Sequence, residues 1–189
     1  MKQKIVLVVL IANICLGAAA QDKKSRNRVT YSYGIGKSEG KLHKGFGNIY
    51  SIGYERALWK ERIRFTYQFS YGIYDTKTFL GIQKQMTSGY NVVPKLELTL
   101  FTIKNVSLYV GGGGVFNRSK GLTGNDDDIA TNDEPEYFEI NHFGYSATAG
   151  IRYGDPKGRI FYELVPWDIH GGTKQFKEYH GKFVMGIKL

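Results

Sequence analysis

The chain has 189 residues, 42% of them hydrophobic and 14% aromatic, with 24 glycines, one cysteine and a formal charge of +9, at a mean hydropathy of -0.32. That aromatic content excludes a disordered polymer, and the length suits one domain with a tail. The low hydropathy excludes a bundle of membrane helices, since each span needs about 20 apolar residues in succession and only the N-terminus comes close.

At the N-terminus, Lys2 and Lys4 precede an apolar stretch from Ile5 to Leu16, and Ala18-Ala19-Ala20 before Gln21 reads as a small-residue cleavage site. The stretch is short for a membrane span, and polar Gln21-Asp22-Lys23-Lys24 follows it at once. Residues 1–20 are therefore expected to be a signal peptide, 21–27 a short periplasmic tail, and 28–189 the folded domain. Cys15 follows Ile14 inside the signal core, so no lipid attachment is expected and the exported chain keeps no cysteine. The basic balance points to anionic partners such as lipid phosphates.

The rest of the chain has a period of two, the mark of strands. Val29, Tyr31, Tyr33 and Ile35 mark the first, and Tyr50, Ile52, Tyr54 and Leu58 the second. The third is the clearest: Ile63, Phe65, Tyr67, Phe69, Tyr71 and Ile73 share one face, Arg62, Arg64, Thr66, Gln68, Ser70 and Gly72 the other. Tyr90, Val92, Leu96 and Leu98 follow, then Val106, Leu108 and Val110 leading into the run Gly111 to Gly114. That run lacks the Gly-Lys-Ser/Thr ending of a phosphate loop and sits in a strand pattern. Phe143 to Tyr153, Ile160 to Leu164 and Tyr179 to Leu189 complete eight strands, the smallest usual number for a membrane barrel.

Connections after strands 2, 4 and 6 read as tight, and those after 1, 3, 5 and 7 as longer. The longest runs from about Arg118 to Ile140 and carries Asp126, Asp127, Asp128, Asp133, Glu134, Glu136 and Glu139. It departs from the calcium-loop pattern at Ala130, and a solvated loop is expected. This asymmetry matches an antiparallel up-and-down transmembrane β-barrel of the outer membrane, with its chain ends in the periplasm.

Side-chain volume decides which face is inside. The bore of eight strands is just wide enough for side chains to fill, and the bulky set would overfill it. Small residues such as Gly34, Ser51, Gly53, Ser70, Gly72, Gly111, Gly113, Ser146 and Gly150 share the other face. That face is expected inside, with the aromatics in lipid and Trp59 and Trp167 at strand ends as interface anchors. Glu55, Arg64, Glu97, Arg152, Glu163 and Lys182 have inward parity toward the periplasmic half, three acids against three bases. They are expected to form an ion-pair network that fills the lumen and holds register.

Together these patterns resemble the small eight-stranded outer-membrane β-barrels of Gram-negative envelopes, the OmpA transmembrane domain and OmpX type. The resemblance covers about Arg28 to Leu189. Its most specific element is the alternating C-terminal strand Tyr179 to Leu189, which ends in Leu where that family usually has an aromatic residue. The resemblance implies an envelope-structural, adhesive or surface-binding role, and for a few members a lipid-modifying one. It also implies recognition of the C-terminal strand by the barrel-assembly machinery.

Candidate chemistry is sparse. His43, His142, His170 and His180 map to external loops or outer strand ends, where histidines are usually solvated. His142, His170 and His180 can approach one another near Asp168, but no sharp ligand spacing is present and no metal or other cofactor is expected. His142, Ser146 and Glu139 are the nearest set for a lipid acyltransferase or deacylase; residues 142 and 146 stand about 13 Å apart along a strand, too far for direct contact. No catalytic residue is assigned. The expected protein is a non-enzymatic outer-membrane barrel with a plugged polar lumen, in contact with lipid through Lys37, Lys41, Lys44, Lys77 and Lys84, with no nucleic-acid partner and no external ligand that the sequence identifies. A lipid-modifying enzyme of the same fold and a narrow channel remain as alternatives.

Overall fold

Strands that are bulky and apolar on one face and small or polar on the other can bury every backbone group without water only by closing into a cylinder. A computed structural model of the chain describes residues 26–41, 43–77, 84–122, 137–155 and 158–189. They form β1 (Asn27–Gly40), β2 (His43–Ala57), β3 (Ile63–Lys77), β4 (Lys84–Ile103), β5 (Val106–Leu122), β6 (Tyr137–Tyr153), β7 (Ile160–Gly172) and β8 (Lys177–Lys188). Each pairs antiparallel with the next, and β8 closes on β1 with Val29 opposite Ile187 and Tyr33 opposite Phe183. The expected all-β, eight-stranded up-and-down barrel is the fold observed. The predicted signal peptide and the acidic residues Asp126 to Glu136 lie outside the described residues.

The faces are divided as side-chain volume requires. On β3, Phe65, Tyr67 and Phe69 are exposed on the outside, whereas Thr66, Gln68 and Ser70 are buried within. The other strands repeat this, from Tyr31 and Tyr33 on β1 to Phe183 and Ile187 on β8. A polar inside under an apolar outside inverts a water-soluble barrel, and such an exterior is favourable only against lipid. Strands of 12 to 20 residues exceed the roughly 9–11 that cross a bilayer, so their ends project beyond the hydrocarbon.

Two expected long connections are short. Only residues 41 and 42 separate β1 from β2, and Thr173–Phe176 joins β7 to β8. The polar residues Lys37 to Gly40 and His43 to Gly45 continue the ladder past the last hydrophobic alternation. The β7–β8 turn places Lys174 (φ 56°) and Gln175 (φ 60°) consecutively in the left-handed region, as a primed hairpin turn requires. The Phe176 N–H then donates to the Thr173 carbonyl at 3.2 Å. The connection after β5 is also shorter than the pattern suggests, because β5 runs on to Leu122 and β6 begins at Tyr137.

The bore also admits more than small and polar groups. Tyr74, Tyr109, Phe161, Phe176 and Ile49 are all buried inside. Two of the rings, Tyr109 and Phe161, need a missing side chain opposite them: a Cβ on Gly150 would lie 2.7 Å from the Tyr109 ring, and one on Gly186 would lie 1.9 Å from Phe161. Phe161 cannot easily yield, because the Arg152 guanidinium stacks 4.3 Å from its centroid. Gly186→Ala is expected to destabilise the barrel by about 1–3 kcal/mol through overpacking. In urea unfolding from lipid vesicles the loss should shrink when Phe161→Leu is added; an equal loss in the double variant contradicts this account.

Candidate functional site in the barrel lumen

Period-two alternation aims every second side chain of each strand at the axis, and the lumen is therefore stacked in layers. Nearest the short turns, Glu55 of β2 accepts from Arg28 of β1 at 2.6 Å and from Arg152 of β6 at 2.9 Å, with Arg64 of β3 at 3.7 Å. Arg64 donates to Glu97 of β4 at 3.1 Å and to Thr99 at 3.1 Å. Arg152 also pairs with Glu163 of β7, which accepts from the Tyr109 hydroxyl at 2.7 Å. Five of the six charged residues selected by parity thus converge. The sixth, Lys182, stands apart and pairs with Asp168.

Arg28, Lys95, Asp168 and Glu178 belong to the lumen as well. Lys95 bridges the layers, 3.8 Å from Glu97 and 3.7 Å from Asp168. Arg28, Lys95 and Glu178 follow the alternation of their strands and were legible from it. Asp168 was not, because β7 slips register between Val165 and Asp168, leaving both Pro166 and Trp167 outside. That slip turns Asp168 and His170 inward. It also places Trp167, which is exposed, within β7 rather than at its end, whereas Trp59 sits in the β2–β3 turn and is exposed there.

Among the described residues the buried charged groups are Arg28, Arg64, Lys95, Arg152 and Lys182 against Glu55, Glu97, Glu163, Asp168 and Glu178. Five lysines and arginines stand against five carboxylates, so with neutral histidines the formal charge of the lumen sums to zero, although Glu178 has only histidines in ion-pair reach. A cavity of about 30 Å³ remains between the two lower layers, lined by Gln68, Lys95, Tyr109 and Asp168 among others. That is room for a water or two. A vestibule of about 600 Å³ opens at the short-turn end, by Trp59, Arg62, Leu98 and Lys104.

The histidines differ from the expected solvated rim: His43, His142, His170 and His180 are all buried in the outer half of the lumen. Their strands continue past the membrane-facing pattern, so positions assigned to loops fall on inward rungs. His142 stacks on Phe176 and its Nδ1 lies 3.0 Å from the Thr173 carbonyl; His43 stacks on Phe138. Glu178 accepts from Asn91 at 2.8 Å, from Ser38 and Tyr74 at 3.2 Å each, and lies 3.2 Å from His170 Nδ1. The candidate catalytic set does not assemble. Ser146 is buried, with no partner for its hydroxyl among the described residues, His142 is engaged at Thr173, and Glu139 is on the outside in a pair with Arg118. At the β1–β2 hairpin, Lys37 hydrogen-bonds Glu39 and holds its carboxyl below the usual value, so Lys37 is already engaged.

A closed eight-stranded antiparallel barrel, apolar outside and charge-compensated within, defines the class: this is the fold of a small outer-membrane β-barrel. Among solved structures it is similar to Neisserial surface protein A, with a TM-score of 0.66 and 13% identity over 89% of this chain and 100% of that one. It is also similar to Ail, the attachment invasion locus protein of Yersinia pestis, with a TM-score of 0.56 and 11% identity over 87% of this chain and 98% of that one. A second Ail structure, in complex with the heparin analogue sucrose octasulfate, matches at 0.55 and 11% over 85% and 96%. No protein-family model matches the chain, and no curated protein matches it by sequence.

Proposed function

We propose that the protein is a non-enzymatic integral component of the outer membrane of a Gram-negative envelope, exported by its N-terminal signal, with a plugged lumen and a structural or surface-interaction role at its external loops. The observation that supports this best is the lumen itself, where Arg28, Arg64, Lys95, Arg152 and Lys182 interlock with Glu55, Glu97, Glu163 and Asp168, and a cavity of about 30 Å³ remains beside Lys95 and Asp168. Ions cannot pass such a layer without breaking buried pairs. Lys41 and Lys44, exposed at the β1–β2 hairpin, stand where anionic lipid headgroups would lie. The alternating β8 is the segment we assign to the barrel-assembly machinery.

Reconstituted in planar bilayers, the protein should be electrically silent; discrete conductance steps that change when Glu97→Gln or Arg152→Gln is introduced would establish the narrow-channel reading instead. The lipid-modifying reading predicts acyl turnover that His142→Ala or Ser146→Ala abolishes. Our proposal expects no turnover above background in the unaltered protein.

A further inference from the structure

Each buried carboxylate of the lumen has a lysine or arginine beside it, with one exception. Glu55 has Arg28 and Arg152, Glu97 has Arg64, Glu163 has Arg152, and Asp168 has Lys182. Glu178, fully buried, faces hydroxyls, an amide and two histidines, with no lysine or arginine in ion-pair contact among the described residues. A buried carboxylate without a cation is costly. The missing positive charge must come from something its histidine neighbours can hold.

Donor geometry indicates what that is. Glu178 Oε2 lies 3.2 Å from His170 Nδ1 and 3.9 Å from His180 Nε2, and one ligand atom from each of the three residues falls within 4.8 Å of the others. Donors around a tetrahedral zinc at 2.0–2.1 Å stand about 3.3 Å apart, so one edge already fits and the others need to close by at most about 1.5 Å. The set holds two further features of a metal site. His170 Nε2, the nitrogen turned away from Glu178, faces Asp168 Oδ2 at 3.6 Å, so closing that gap by about 0.5 Å would give the hydrogen bond by which an outer carboxylate orients a ligating imidazole. The Tyr74 hydroxyl reaches across from β3 to within 2.9 Å of His180 Nε2, where a fourth ligand or a bound water would sit.

The geometry points to a metal site in the outer half of the lumen, formed by His170, Glu178 and His180, that binds a late first-row divalent cation such as zinc. Two imidazoles with one carboxylate favour such ions over calcium or magnesium, which want oxygen ligands. All three ligands come from β7 and β8: His170 is directly opposite Glu178, and Asp168 opposite His180. The ion would therefore clip the outer end of this hairpin. Ser38, two rungs below the β1–β2 turn, links Glu178 to His43, so the site lies close to the outer mouth and would load from outside the cell.

The test is calorimetric titration of zinc into the untagged, refolded full-length protein in detergent, with folding checked by heat-modifiable gel mobility. One zinc per barrel is expected for the unaltered protein and for His142→Gln, with affinity reduced at least about 100-fold in His180→Gln and in Glu178→Gln. No stoichiometric zinc uptake, or variants that bind as tightly as the parent, overturns the site and leaves a protonated histidine as Glu178's counter-ion. Should the variants fail to fold, cobalt(II) added to the unaltered protein decides alone. Intense visible absorption of tetrahedral cobalt, lost on adding zinc, supports the site, and an unchanged aqueous cobalt spectrum refutes it.

Discussion

Replacing Arg152 with methionine should cost about 3–5 kcal/mol of folding stability, because it leaves buried carboxylates without their cation. Arg152 touches both Glu55 and Glu163 and stacks on Phe161. Glu55 keeps Arg28 at 2.6 Å, but among the described residues Glu163 keeps as its hydrogen-bond partner the Tyr109 hydroxyl at 2.7 Å. Most of the penalty should therefore lie with Glu163, and adding Glu163→Gln to Arg152→Met should recover a substantial part of it. Urea unfolding in phospholipid vesicles measures both. If Arg152→Met unfolds within about 1 kcal/mol of the parent, the charged layers are hydrated and do not bear the weight assigned to them here.

A charge on the outside tests the opposite face. Phe69, midway along β3 and exposed between Ile52 and Val92, should meet hydrocarbon near the bilayer centre. Phe69→Arg is expected to cost about 2–4 kcal/mol in vesicles, and Tyr137→Arg, at the outer start of β6, about 0–1. The contrast between the two carries the result, because it depends on depth in the bilayer and not on the loss of a ring. Equal costs at the two positions would mean that the aromatic exterior is not embedded in lipid.

These two substitutions differ in how far each could have been chosen from sequence. Phe69 could, since Ile63 to Ile73 alternates without a break and β3 meets both neighbours without a register slip. Arg152 was picked out by parity, and so were Glu55, Arg64, Glu97 and Glu163. Their pairing was not, because parity states only that a side chain points inward and says nothing of height. Strand stagger sets height: it puts Glu55 level with Arg152 from the opposite side of the barrel and leaves Lys182 with Asp168.

Where a bulge intervenes, parity fails altogether. Pro166 and Trp167 together occupy the outside of β7, and each residue beyond them has the opposite orientation to the one that counting by twos assigns. Asp168 and His170 reach the lumen for that reason. The histidines were misplaced by a related effect: the apolar alternation stops at the lipid boundary, whereas backbone pairing continues into water, so His43 and His142 read as rim residues although they occupy inward rungs.

From the amino-acid order alone came the eight strands, the face each turns to lipid up to the bulge in β7, and the polar character of the interior, because the two-residue period and side-chain volume are local properties. Only the closed barrel decided which charges meet, which glycines make room for Tyr109 and Phe161, and that Glu178 faces histidines instead of a lysine or arginine. Those outcomes depend on stagger and register, which are set by pairing all eight strands at once.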